Sequence, residues 1–273
     1  MAKDREELRV GIGGFGAIGQ AVARRLDGGM LGLRLVAVSA RDGARAKDRM
    51  AGFKTPVPVV PLCTLAELAD VVVECAPAAV FREVAVPAIE AGRIFMPLSV
   101  GALLQHSDLV ERAKATGARI LAPTGALLGL DAVRAAAEGV IQSVTMVTRK
   151  PPAGLAGAPY LVAHKISLDN LKAPLKVFDG TARDGAKGFP ANVNVAAALS
   201  LAGIGPDKTR LEIWADPALT RNTHCIVVEA DSCRFEMSIE GVPSVENPRT
   251  GKLTPLSVIA ALRGLTAPLK VGT

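Results

Sequence analysis

Up to residue 123, short aliphatic runs alternate with segments whose apolar residues recur at helical spacing. Leu8–Ile12 and Leu33–Ala40 read as strands. Between them, Ile18, Val22 and Leu26 fall on one face of a helix over Ala17–Leu26. Thr64-Leu65-Ala66-Glu67 reads as a capping box opening a short helix, because each polar side chain can satisfy an orphan amide. A strand over Val71–Ala76 follows, then a helix over Val80–Ala91 and a strand over Arg93–Val100. Ser107 reads as the cap of a helix that stops at Gly117, and Ala118–Pro123 reads as a further strand. Alternation in this order predicts a parallel sheet with right-handed crossovers.

The rhythm changes after Gly125. Leu130–Glu138 reads as helix, Ser143–Thr148 and Leu211–Ala215 as strands. His224–Ala230 and Cys233–Glu240 flank Asp231-Ser232 as a hairpin. In its second strand, Cys233, Phe235, Met237 and Ile239 alternate with Arg234, Glu236, Ser238 and Glu240, giving one buried and one wet face. The expectation is a parallel-sheet domain over residues 1–123, then a smaller α+β domain over 124–245 with a mostly antiparallel sheet. Residues 246–273 carry a last helix, Leu253–Leu265, placed to pack back on the first domain. Lys150–Gly188 is the least legible stretch.

Composition narrows the function. Hydrophobic residues make up 49% and aromatics only 3%. The core is therefore aliphatic, as buried parallel strands require. The net charge is +6, but Lys and Arg are scattered and aromatics for base stacking are nearly absent, which argues against nucleic acid. A diffuse positive field suits anionic small molecules instead. No run approaches the ~20 apolar residues of a spanning helix, and the charged start MAKDREELRV does not read as a secretory signal. Cys63, Cys75, Cys225 and Cys233 form no C-x-x-C pair and read as reduced thiols, with no metal site expected. A cytoplasmic protein without a membrane partner is the expectation.

Gly14-Phe15-Gly16-Ala17-Ile18-Gly19 matches G-x-G-x-x-G between a strand and an amphipathic helix. The first glycine permits the tight turn, the second lets the backbone approach a pyrophosphate, and the third lets helix and strand pack closely. The helix N-terminus adds free amides and partial positive charge. The reading is a Rossmann-type dinucleotide-binding domain in an α/β chain. NAD-selective sites usually place a carboxylate at the end of the second strand. Here Ser39 and Arg41 stand there, a pair able to hold a 2′-phosphate, with Asp42 as an alternative ribose partner. NADP use is expected, with NAD also accepted.

Three histidines are available for acid/base work: His106, His164 and His224. His106 lies just before a helix cap and reads as a surface residue. His164 sits in the illegible stretch. His224 starts a strand of the second domain, where a base or a structural role both fit.

The sequence resembles the L-aspartate dehydrogenase family. Beyond the glycine loop, the matching pieces are Ser99-Val-Gly-Ala102, Gly125-Ala-Leu-Leu-Gly-Leu-Asp-Ala132 and Thr148-Arg-Lys-Pro-Pro152. Phe189-Pro-Ala-Asn-Val-Asn-Val-Ala196, Asn222-Thr-His224 and Asn247-Pro-Arg-Thr-Gly251 continue the order. The resemblance implies oxidation of the Cα–N bond of L-aspartate with NAD or NADP, and reductive amination of oxaloacetate with ammonia in reverse. It also implies a homodimer, with the second domain serving substrate binding and dimerisation. It places the catalytic histidine on His224 and cofactor contacts on Asn194 and on the backbone of Leu128, where the family usually has alanine. Substrate carboxylates need cationic or amide donors, and Arg149, Lys150, Lys165 and Asn192 are candidates. Asn192 and Asn194 can alternatively cap a helix over Val195–Ala202. Two rival readings are a related two-domain reductase, resembling dihydrodipicolinate reductase or homoserine dehydrogenase, and a non-catalytic nucleotide sensor.

Overall fold

The computed structural model describes residues 7–190, 193–244 and 251–272. They form two compact units: the described residues up to Pro123 with Thr254–Lys270, and those from Thr124 to Leu253 with residues 271–272.

The first unit runs β1 (Leu8–Gly13), α1 (Ala17–Asp27), β2 (Leu33–Ser39), α2 (Gly43–Arg49), α3 (Leu65–Leu68), β3 (Val71–Glu74) and α4 (Phe81–Glu90). It continues with β4 (Ile94–Pro97), α5 (Val100–Leu103), α6 (Asp108–Thr116) and β5 (Arg119–Ile120). All five strands are parallel, in the order β2-β1-β3-β4-β5. Helices cover both faces, so each strand is aliphatic without alternation: Val71, Val72, Val73 and Glu74 are all buried. Val10, Ile12 and Val73 pack with Val22 and Leu26 on one face, and Val72 and Phe95 pack with Val84 and Ile89 on the other.

Three local expectations need correction. Thr64 precedes α3 but makes no capping bond. A single turn of 3-10 helix over Leu62–Thr64 runs into α3, leaving Thr64 at helical φ −76°, ψ −17°. A capping side chain needs an extended backbone to reach back. Ser107, at φ −61°, ψ −22°, fails for the same reason. The expected strand over 93–100 closes at Pro97, and Val100 begins α5. Gly117 does end α6 in the left-handed region, at φ 74°.

The second unit contains α7 (Leu130–Ala136), β6 (Ile141–Lys150), α8 (Pro159–Ala163), β7 (Leu175–Thr181), α9 (Ala182–Gly188), α10 (Asn194–Ala202), β8 (Arg210–Ala215), β9 (Thr223–Ala230) and β10 (Arg234–Glu240). Its sheet is ordered β10-β9-β6-β8-β7. Only β6–β8 is parallel, so the sheet is mostly antiparallel as expected. Alternate residues of β6 and β9 are buried: Val144, Met146, Thr148 and Lys150 on one strand, His224, Ile226 and Val228 on the other. α11 (Leu253–Thr266) belongs with the first unit, where Val258 and Leu262 have no exposed surface. The Thr266 hydroxyl also donates to the Leu31 carbonyl at 2.7 Å.

Candidate functional site

The glycine loop sits at the carboxyl edge of the parallel sheet, where the strand order reverses about β1. Each glycine answers a different demand. Gly14 has φ +103°, and a Cβ there would stand 2.5 Å from the Cys75 carbonyl. A Cβ on Gly19 would run into the Gly14 carbonyl oxygen, so α1 can approach β1 only with glycine there. Gly16 is exposed, and a Cβ there would meet nothing within 4 Å. Open space at the middle glycine, with Ala17 and Ile18 opening α1 behind it, leaves room for a pyrophosphate at the helix N-terminus. Phe15 is buried edge-on against Phe53, and its carbonyl accepts from Arg49 Nη1 at 3.0 Å and Gln20 Nε2 at 3.1 Å. The loop is thus held from below while its upper surface stays clear.

At the end of β2 lies a cleft of about 520 Å³ lined by Ser39, Ala40, Gly43, Ala44, Lys47 and Val59–Pro61. Ser39 is buried there. The cation in the lining is Lys47; Arg41 is exposed and lies outside it. Asp42 caps α2, accepting from the Arg45 amide at 3.0 Å, so its carboxylate is already engaged. Sequence reading missed Lys47, which could be found only once α2 was known to turn it back toward Ser39.

In the second unit His224 is 3% exposed. It lies across from Thr148 in the β6–β9 register, and its Nδ1 is 3.1 Å from the Thr148 hydroxyl. Lys150 follows two residues later on the same face of β6 and is also buried. Burial holds His224 neutral, depressing its pKa to about 3, and the charge of Lys150 adds to the effect. Burial likewise lowers Lys150 to about 8. Thr148 was missed as a partner, although its polar side chain on the apolar side of an alternating strand was the available signal.

The other candidates are dispersed. Arg149 points to the opposite face of the sheet, stacked over Trp214 at 4.7 Å and paired with Asp216 at 3.7 Å, so it is not brought together with His224. Lys165 is exposed at φ 53°, beside an exposed His164 stacked on Tyr160. His106 is half-buried against Phe81 rather than fully at the surface. Leu128 is half-exposed in the loop before α7, between Gly125 and Gly129, both at positive φ. Asn194 is the first residue of α10, with Val193 as the cap position, so it does not itself cap the helix. Asn192 and most of Asn247–Gly251 lie outside the described residues.

A parallel sheet that opens beneath a glycine loop, joined in one chain to a mixed sheet that keeps an imidazole neutral, defines a two-domain nicotinamide-dependent oxidoreductase. Residues 14–123 match the family profile described as homoserine dehydrogenase, NAD binding domain, and residues 131–265 that of aspartate dehydrogenase, C-terminal. The chain is 57% identical over 267 residues to an L-aspartate dehydrogenase of Bradyrhizobium diazoefficiens, covering 98% of this chain and 95% of the relative. It is 55% identical over 270 residues to L-aspartate dehydrogenase 3 of Bordetella bronchiseptica, covering 98% and 99%. The crystal structure of aspartate dehydrogenase from Thermotoga maritima superposes with a TM-score of 0.73 at 25% identity, covering 98% of this chain and all of that one. The chain belongs to the aspartate dehydrogenase family.

Proposed function

We propose that this chain oxidises L-aspartate to iminosuccinate with NAD or NADP, and that it runs the reverse reductive amination of oxaloacetate with ammonia. The observation that carries this reading is His224, buried and neutral beside Thr148 and Lys150 in the unit that matches the aspartate dehydrogenase C-terminal profile. Gly14–Gly19 hold the pyrophosphate and Ser39 the adenosine ribose, with Asn194 and the Leu128 backbone as further contacts toward the cofactor. A nicotinamide bound there would supply the hydride acceptor for Cα.

The chain's own residues manage protons and charge. Hydride leaves Cα only when nitrogen can donate its lone pair, so the α-ammonium must first lose a proton. His224, unprotonated at neutral pH, takes that proton directly or through a water. Its depressed pKa belongs to the chain without substrate. Burial is the larger cause of that depression and Lys150 the smaller; the two negative charges of a dicarboxylate would favour the imidazolium and so raise the pKa from that value. Lys150 serves as a carboxylate partner, whereas Arg149 is committed to Asp216 and Trp214. Water then adds to the imine, releasing ammonia and oxaloacetate.

We assign the protein to the cytoplasm as a homodimer. All four cysteines are free and two are exposed, which suits a reducing compartment. The sheet face bearing Val147, Trp214, Cys225 and Val227 is only partly exposed and supports a self-associating surface. Among the described residues, no helix is long and apolar enough to cross a membrane.

The test follows reduced-cofactor absorbance with L-aspartate against a panel of amino and hydroxy acids, for wild type and His224→Ala. The reading expects turnover on L-aspartate alone and a loss of about 10²–10⁴-fold in the variant, the usual worth of an acid/base group. Turnover of homoserine or another hydroxy acid in place of aspartate would overturn it.

A further inference from the structure

The glycine cradle is bordered by a carboxylate that this chemistry does not use. Glu74 ends β3 and has no exposed surface. Its Oε2 accepts from the Leu98 amide at 3.2 Å and the Ser99 amide at 2.9 Å, and its Oε1 from the Ser99 hydroxyl at 3.1 Å. Burying an acid is costly unless its oxygens are satisfied. Here burial pushes the Glu74 pKa up, while the bonds from Ser99, Ala76 and Leu98 oppose the rise. The result is a fixed joint between the end of β3 and the turn after β4.

That joint is continuous with the glycine loop. The Cys75 amide donates to the Gly13 carbonyl at 2.7 Å, and Gly14 packs directly on the Cys75 carbonyl. Three strand-end turns, after β1, β3 and β4, are therefore locked in a row along the carboxyl edge. Glu74 supplies the side-chain link between the second and third.

Topology shows what lies above the link. The pyrophosphate belongs at Gly14–Gly19, and the adenosine ribose lies toward β2, at the cleft of Ser39 and Lys47. A dinucleotide laid across a β2-β1-β3-β4 edge must carry its other half over the ends of β3 and β4.

We infer that Glu74 is the positioning residue for the nicotinamide half of the cofactor, holding the Leu98–Ser99 turn as the wall against which that half binds. The inference rests on the dinucleotide reading above. Glu74 acts through this turn, so its loss is felt by ligands that carry a nicotinamide and not by those that stop at the second ribose.

The experiment compares binding of each reduced cofactor, by fluorescence, with ADP-ribose bearing the same 2′ group, by calorimetry. Glu74→Ala should weaken the reduced cofactor by about tenfold, the cost of stranding the Ser99 amide and hydroxyl while the Leu98 amide keeps its 3.1 Å bond to the backbone carbonyl of residue 74, and change ADP-ribose by less than about twofold. Glu74→Gln should restore most of the affinity, because its amide oxygen accepts from both backbone N–H groups and its NH₂ donates to the Ser99 hydroxyl. Ser99→Ala, which removes one bond, should show a smaller loss of the same selectivity and serves if Glu74→Ala does not fold. Equal losses for the two ligands, or unchanged cofactor affinity in Ser99→Ala, would overturn the inference. Wild-type protein that bound neither ligand would overturn the dinucleotide reading itself.

Discussion

Gly16 and Gly19 stand three residues apart and should fail differently when given a side chain. At Gly16 the new atoms enter open space, so Gly16→Val should fold normally and lose cofactor affinity. At Gly19 even a methyl group strikes the Gly14 carbonyl, so Gly19→Ala should lower thermal stability before any ligand is added. Circular dichroism melts paired with calorimetric titration separate the two. A Gly16→Val protein that bound cofactor like wild type would remove the pyrophosphate from this loop. Lys150 makes a prediction about pH. Its amine titrates near 8 in the folded chain against 10.5 ordinarily. Between those values the unfolded chain holds a proton that the folded chain has released, so this group makes stability rise with pH across that window. His224 acts in the same sense lower down: its stabilising effect is present above about 6.5 and lost as pH falls toward about 3. In denaturant titrations, wild type should gain stability relative to Lys150→Met between pH 8 and 10; parallel curves would show that Lys150 is not buried as described. The glycines were legible in the sequence because Gly14 and Gly19 meet backbone demands that only glycine satisfies, and Gly16 stands between them in the same spacing. The Thr148–His224 pair was not: the alternation of β6 marks Thr148 as a polar residue on the apolar side, but not which residue, 76 positions away, the β6–β9 register sets against it.

At the scale of elements, we place cofactor choice at the β2–α2 turn. The sequence places Arg41 where a 2′-phosphate reader would stand, but the folded turn leaves it outside the cleft and swings Lys47 in. Lys47→Ala should therefore weaken NADP about tenfold more than NAD, the worth of one charge-assisted contact, with Arg41→Ala having the smaller effect. Separate dissociation constants for both cofactors decide it; the opposite ranking would return the role to Arg41. The five strands and the helices α1, α4 and α6 of the first unit were legible to within a few residues, since buried parallel strands are short unbroken aliphatic runs, whereas the short helices α2 and α5 were not. Nor were β7, α8 and α9. β7 carries Gly180 and little alternation, α8 is one turn long, and both are held by long-range packing of Tyr160, Phe178 and Phe189, whose rings lie 5.2–5.6 Å apart. Local periodicity cannot report a contact of that range.

For the whole molecule, the described residues part after Pro123 into two units, and the last helix contributes Val258 and Leu262 to the core of the first. What the pattern could not show was the pairing order of the second sheet, in which β6 lies between β8 and β9, because alternation reveals a strand's faces and not its neighbours. The central claim is that a hydride leaves Cα of L-aspartate once its nitrogen has been deprotonated. Incubating the enzyme with L-aspartate deuterated at Cα and oxidised cofactor, then examining the reduced cofactor by NMR, tests it directly. The account predicts deuterium at C4 of the nicotinamide, on a single face, formed together with oxaloacetate and ammonia. Reduced cofactor without deuterium, or no reduction with L-aspartate at all, would contradict it.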